Sequence, residues 1–235
     1  GAAQQLYETE GIPVIGFPKT IDNDLRTRTI HHYQEKEIEA VMCPGFPSAV
    51  KGTMEFTNRL RTTAESHSRI IVVEIMGRDA GWLTGGAAFG GSELALIPEF
   101  AVTKERKDFF FETVREAYLS SPKKCLIIAV SEGVRWYNDK DGKVDVVYAS
   151  SEVDEYGHAR FGGVSGIIAS EISQKLGFEA RAQIAGYYSR SGICRKYDRR
   201  LTQTLADKVA DLLIREEYGQ MPVMSKIVEY PDLEE

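Results

Sequence analysis

Residues 70–75 read I-I-V-V-E-I and residues 125–130 read C-L-I-I-A-V, and these two runs decide the fold class. Both are almost wholly apolar, and neither alternates with polar residues. A strand wetted on one face would alternate, because successive side chains point to opposite faces. Continuous runs therefore predict strands covered on both faces. Shorter apolar runs at 12–16, 94–97 and 181–185 read as further strands. Helical stretches lie at 1–10, 48–66, 104–119 and 199–217, the third preceded by Thr103, a residue suited to capping. Strands alternating with helices predict the α/β class, a three-layer α/β/α sandwich around a mostly parallel sheet. The polar turn N-D-K-D-G-K at 138–143, between 135–137 and 144–148, predicts a hairpin. The glycine pairs at 85–86 and 90–91 fall in an apolar, helix-like stretch and read as permitting close packing.

The chain has 235 residues, 43% hydrophobic and 27% charged, which is ordinary for a globular protein with a real core. No apolar run approaches the roughly 18 residues of a membrane helix, and no opening stretch has signal-peptide form. A net charge of −6 argues against a nucleic-acid partner, whose phosphates demand a basic surface. A small anion needs only a local cluster of arginines. Cys43, Cys125 and Cys194 are odd in number and lack C-x-x-C spacing. They predict neither a disulfide framework nor a zinc site, and they suit a cytosolic setting. His31 and His32 are adjacent without partners at metal-ligand spacing, so no metal role is expected of them. No G-x-G-x-x-G follows a strand, which argues against a dinucleotide-binding domain.

The most informative loop lies at 11–25, G-I-P-V-I-G-F-P-K-T-I-D-N-D-L. An apolar run delivers a cation (Lys19), a hydroxyl (Thr20) and two carboxylates (Asp22 and Asp24) around Asn23. Loops at the carboxyl ends of strands are where open α/β sheets bind ligands. By itself D-N-D also suits a plain turn, since Asp and Asn bond their own backbone. Met76-Gly77-Arg78 and Glu132 follow the two strongest strands, and each taken alone also reads as a solvated strand-end turn.

The full string P-K-T-I-D-N-D-L resembles the signature of the phosphofructokinase family. The resemblance continues in order through L-R-T-T-A-E-S-H-S-R-I-I-V-V-E-I-M-G-R (60–78), A-V-S-E-G (129–133) and A-R-A-Q-I-A-G-Y-Y-S-R-S-G (180–192). It implies an enzyme that phosphorylates fructose 6-phosphate. Asp22 would be the general base that takes the proton from the sugar's 1-hydroxyl, and Asp24 would orient the loop or help hold magnesium, the implied cofactor. Thr20, Ile21, Met76 and Gly77 would line the sugar site, and Arg78 would stabilise charge on the transferring group. Glu132 would accept hydrogen bonds from sugar hydroxyls. Arg69, Arg181 and Arg190 would hold the 6-phosphate, with Tyr187 beside them. In the family the counterparts of Arg69 and Arg181 come from a neighbouring subunit, so the resemblance implies a homodimer or homotetramer.

Lys19 and the turn Cys43-Pro44-Gly45-Phe46 resemble the pyrophosphate-dependent branch, which favours pyrophosphate over ATP as donor. The family's G-G-D-G-S donor loop has no counterpart in the sequence. The implied organisation is a remnant of the donor-binding domain at 1–33, a fructose-6-phosphate domain at 34–189 and a return segment at 190–235. A chain so organised is expected to lack the N-terminal donor-binding part and to transfer little phosphoryl alone. The alternative is a sugar-phosphate-binding regulatory module that never receives a donor.

Overall fold

The computed structural model describes residues 2–33, 36–153 and 159–224. In chain order the elements are α1 (Ala2–Glu10), β1 (Arg26–Tyr33), β2 (Lys36–Ala40), α2 (Phe46–Ser66), β3 (Ile70–Ile75), α3 (Trp82–Phe89), β4 (Leu94–Leu96) and α4 (Lys104–Ser120). They continue with β5 (Leu126–Ser131), β6 (Arg135–Tyr137), β7 (Val144–Val146), β8 (Tyr148–Val153), β9 (Ala159–Phe161), α5 (Val164–Leu176), β10 (Ala180–Ile184) and α6 (Lys196–Ile214). The chain forms two compact units, 1–48 with 193–235, and 49–192.

The unit at 49–192 is built on a parallel four-stranded sheet in the order β10-β3-β5-β4. All six residues of β3 and of β5 are buried, as their unbroken apolar character predicts. Ile70, Val72, Leu126, Ile128 and Val130 face a core shared with Phe110, Phe111 and Val114 of α4 and Val164, Ile168 and Ile172 of α5. Helix α3 packs on β4 and β5. It lies close to α2, where a side chain at Gly86 would reach Val50 at 3.1 Å and one at Gly90 would strike the Met54 backbone at 2.7 Å. Those glycines permit close helix packing, as the sequence suggested. Each fully buried Ile or Leu of such a core contributes about 1.5–3 kcal/mol.

The single carboxylate in I-I-V-V-E-I has a structural purpose. Glu74 is buried and accepts hydrogen bonds from the backbone N–H of Gly163 and Ser165, each at 3.0 Å, and from Ser165 Oγ at 2.8 Å. It caps the N-terminus of α5, where unpaired N–H groups and the helix dipole favour an anion. Helix α4 is capped by Thr103, whose hydroxyl accepts from Arg106 N–H. The expected hairpin forms as β6–β7.

The unit at 1–48 and 193–235 holds α1, the antiparallel ribbon β1–β2, and α6. Met42, Leu201 and Leu205 are buried there, with Phe46 and Met224 packed against them. One expectation is corrected: residues 12–16 are not a strand. They run alongside 219–220 through two backbone bonds, Gly16 N–H to Gln220 C=O and Gly219 N–H to Val14 C=O, both at 2.8 Å. Among the described residues no strand ladder adjoins them, so apolar character alone does not make a sheet. Helix α5 and the ribbons β1–β2 and β8–β9 had no clear signal in the sequence.

Lys107 is buried at 1% exposure and ties three elements together. Its ammonium donates to the Tyr137 carbonyl at 2.8 Å, to Asp139 at 3.0 Å and to Glu171 of α5 at 2.9 Å. Lys107→Met would leave Glu171 and the carbonyl without their donor, whereas Asp139 keeps Lys175 at 2.9 Å. We expect a loss of about 2–3 kcal/mol, read from the urea midpoint.

Candidate functional site

In the first unit the loop after Pro18 is held by its own short-range bonds and by the turn at 43–45. Thr20 forms a bridge with Gly45, and Thr20 Oγ1 accepts the backbone N–H of Asp22 at 3.1 Å. Asn23 adopts a left-handed conformation, φ 55°, which Asn tolerates better than most residues. Its Oδ1 accepts the Cys43 N–H at 3.0 Å. Lys19 and Asp24 are exposed, while Thr20, Ile21 and Asp22 are half-buried. Burial pushes the Cys43 thiol above its ordinary range; a hydrogen bond from the Leu25 backbone opposes this, and the Asp24 and Asp22 carboxylates add to it. The thiol is therefore neutral and adds no charge beside the two carboxylates.

Beneath the 43–45 turn lies a residue that sequence reading missed. Asp198, buried at 1% exposure, accepts the N–H of Gly45 at 2.9 Å and of Ser48 at 2.8 Å, and also the Ser48 hydroxyl. Ser48 Oγ in turn accepts the Arg195 N–H at 2.9 Å. The starts of α2 and α6 thus cap each other. An acidic residue in the first turn of a helix was the only available signal, and it did not name a partner some 150 positions away.

In the second unit two strand ends are clamped together. Ser131 Oγ donates to the Gly77 carbonyl at 2.7 Å, Gly133 N–H donates to the same oxygen at 3.2 Å, and Gly77 N–H reaches Glu132 Oε1 at 3.4 Å. Gly77 has φ 145°, and a side chain there would meet the Ala80 carbonyl at 2.6 Å. Met76 is half-buried, Arg78 is exposed and Glu132 is half-buried at this edge. At the end of β10 the single turn Gly186–Arg190 packs on β3, with Tyr187 79% exposed and Arg190 exposed. The structure therefore brings Met76, Gly77, Arg78 and Glu132 together at the carboxyl ends of the strands, with Tyr187 and Arg190 on the same side.

It places Arg69 and Arg181 elsewhere. Arg69 precedes β3, and Arg181 pairs with Ile71 near the start of edge strand β10. Both guanidinium groups converge on Glu179, at 3.1 and 3.2 Å. A six-residue strand rising about 3.3 Å per residue puts them roughly 20 Å from the Met76–Arg78 end.

Among the described residues no group of three or more His, Cys, Asp and Glu could hold a metal ion. The side chains of His31 and His32 lie outside the described residues. Magnesium keeps several waters and takes only one or two carboxylates, and the exposed Asp24 has the chemistry to be one of them. No described helix is long and apolar enough to cross a membrane.

A side chain on Gly133 would lie 1.8 Å from the Arg78 carbonyl oxygen, so Gly133→Ala must drive the two strand ends apart. We expect a loss of at least about 2 kcal/mol, measured by thermal unfolding.

The family model described as Phosphofructokinase matches residues 1–213. ATP-dependent 6-phosphofructokinase 2 of Streptomyces coelicolor is 34% identical over 94% of this chain and 59% of its own length. Pyrophosphate–fructose 6-phosphate 1-phosphotransferase of Dictyoglomus thermophilum is 37% identical over 86% of this chain and 53% of its own. The chain thus spans little more than half the length of these relatives. The crystal structure of pyrophosphate-dependent phosphofructokinase from Marinobacter aquaeolei superposes with a TM-score of 0.66 at 21% identity, over 93% of this chain and 49% of that one. An unbroken family match over most of the sequence, on a fold shared with that enzyme, establishes that the chain belongs to the phosphofructokinase family.

Proposed function

We propose that the chain carries the sugar-phosphate side and the catalytic base of a 6-phosphofructokinase, with pyrophosphate as the favoured donor. The observation that carries this reading is the clamp between Gly77 and Ser131–Gly133, which presents Arg78 and Glu132 side by side at one sheet edge. Open α/β sheets bind ligands at that edge.

In the proposed reaction the 1-hydroxyl oxygen of fructose 6-phosphate forms a bond to the donor's terminal phosphorus. The bond from that phosphorus to the departing phosphate or ADP breaks, and the hydroxyl proton passes to the Asp22 carboxylate. Such transfers depend on positioning and charge stabilisation, and a single carboxylate within hydrogen-bond reach suffices as base. By the family resemblance Thr20, Ile21, Met76 and Gly77 are assigned to the sugar, and Glu132 to accepting from its hydroxyls. Arg78 offsets charge gathering on the transferring group, as a fixed guanidinium can. Asp24 would orient the loop or help hold magnesium, which when bound neutralises phosphate charge.

Arg190 and Tyr187 are assigned to the 6-phosphate from the same chain. Arg69 and Arg181 sit at the opposite strand end, so we assign them to the site of a second copy, in a homodimer or homotetramer whose symmetry completes both sites. The planar fork of arginine suits phosphate oxygens. Lys19, exposed beside Thr20, favours pyrophosphate, since an ammonium there would pair with it and crowd a nucleotide's α-phosphate. ATP is the alternative donor, in keeping with relatives that carry both names. Three thiols that form no disulfide suit the cytosol.

The reading is tested by assaying the intact polypeptide, meaning this chain together with a family donor-binding part, with fructose 6-phosphate and each donor in turn; this chain alone should transfer little phosphoryl. Turnover is expected with pyrophosphate. Turnover with ATP alone would reassign the donor, and sugar-phosphate binding without turnover would favour the regulatory module. Asp22→Ala should lower kcat by about 10²–10⁴-fold, the range of a general base, with KM for the sugar nearly unchanged. Arg181→Ala should instead raise that KM by roughly tenfold or more, the effect of losing a charged hydrogen bond, with kcat held.

A further inference from the structure

Asp198 belongs to no part of the mechanism above, yet it is a carboxylate almost wholly removed from water. A charge so placed is costly unless several donors meet it. Three do: the backbone N–H of Gly45, in the turn that supports the 20–24 loop, and the N–H and hydroxyl of Ser48 in the first turn of α2. The path from it is short and continuous. Asp198 Oδ1 fixes Gly45 N–H, Gly45 bridges Thr20, and Thr20 Oγ1 fixes the N–H of Asp22. On the same turn, Cys43 N–H is held by Asn23, the residue between the two loop carboxylates.

We propose that Asp198 is a positioning residue, which sets the height of the 43–45 turn and through it the orientation of the Asp22 backbone. The assignment rests on the reading of Asp22 as the base. Gly45 is suited to its place in this relay: its φ is 98°, in the region that favours glycine, and a side chain there would touch Ile21 Cγ2 at 3.4 Å. An amide at position 198 keeps the size of the side chain but can accept on one atom only, so one of the two backbone donors loses its partner.

The test uses the intact polypeptide carrying Asp198→Asn. We expect kcat to fall roughly tenfold to a hundredfold, the penalty for a small misplacement of a reacting group, while KM for fructose 6-phosphate stays within about threefold. Amide hydrogen exchange reads the same claim without turnover. Peptides covering 17–25 and 41–48 should exchange faster, and the buried strand at 126–131 should be unchanged. Ser48→Ala, which leaves the Gly45 bond intact, should keep exchange at 17–25 at the parent rate. If Asp198→Asn does not fold, Asp198→Glu keeps the charge but displaces its oxygens, and it carries the same expectations at reduced size. Unchanged exchange at 17–25, or a rise in KM matching the fall in kcat, would overturn the proposal. A parent protein inactive with both donors would defeat the functional reading, and the exchange comparison would still decide whether Asp198 holds the loop.

Discussion

Strands β3 and β5 run parallel and in register from Ile70 opposite Leu126 to Ile75 opposite Ser131. Because both end at the same level, the loops that leave them meet at once. There is room for that meeting only because Gly77 and Gly133 lack side chains: one would collide with the Ala80 carbonyl and the other with that of Arg78. The buried sheet thus supplies the rigidity, and two glycines supply the close approach. Arg78 and Glu132 are consequences of the arrangement, carried to one edge by backbone geometry.

The same parallel pairing explains what a single copy keeps apart. In a parallel sheet all starts lie at one end and all finishes at the other. Arg69 and Arg181 are at the starts of neighbouring strands, so they meet each other over Glu179 and not the loop that holds Arg78. Strand β10 is an edge strand with Arg181 and Gln183 exposed. An edge with charged residues resists adventitious strand addition, and it leaves guanidinium groups where an anion or a neighbouring copy can reach them.

The loop at 20–24 shows a different economy. It has no regular secondary structure, and it is shaped by a hydroxyl, an amide and a bridge to a glycine turn that is itself pinned by a buried carboxylate. Loops that carry chemistry need such local bonding, since they lack a ladder of their own. Glu74 and Lys107 repeat the principle in the other unit: each is a buried charge, and each is met by several partners from distant parts of the chain.

The sequence by itself determined the class of fold, because unbroken apolar runs such as I-I-V-V-E-I can be stable only under cover on both faces. It also singled out the candidate site loops, since P-K-T-I-D-N-D-L and M-G-R are contiguous strings whose chemistry is local. It was misleading at 12–16, where an apolar run became extended chain paired to a loop segment at 219–220. Only tertiary structure decided that Asp198 supports the 43–45 turn, that Glu74 caps α5, and that Arg69 and Arg181 share one carboxylate at the far strand end. The physical reason is range. Periodicity and motif spacing report neighbours along the chain, whereas a buried charge is satisfied by whichever donors folding brings to it, and those lie from tens to about 150 residues away.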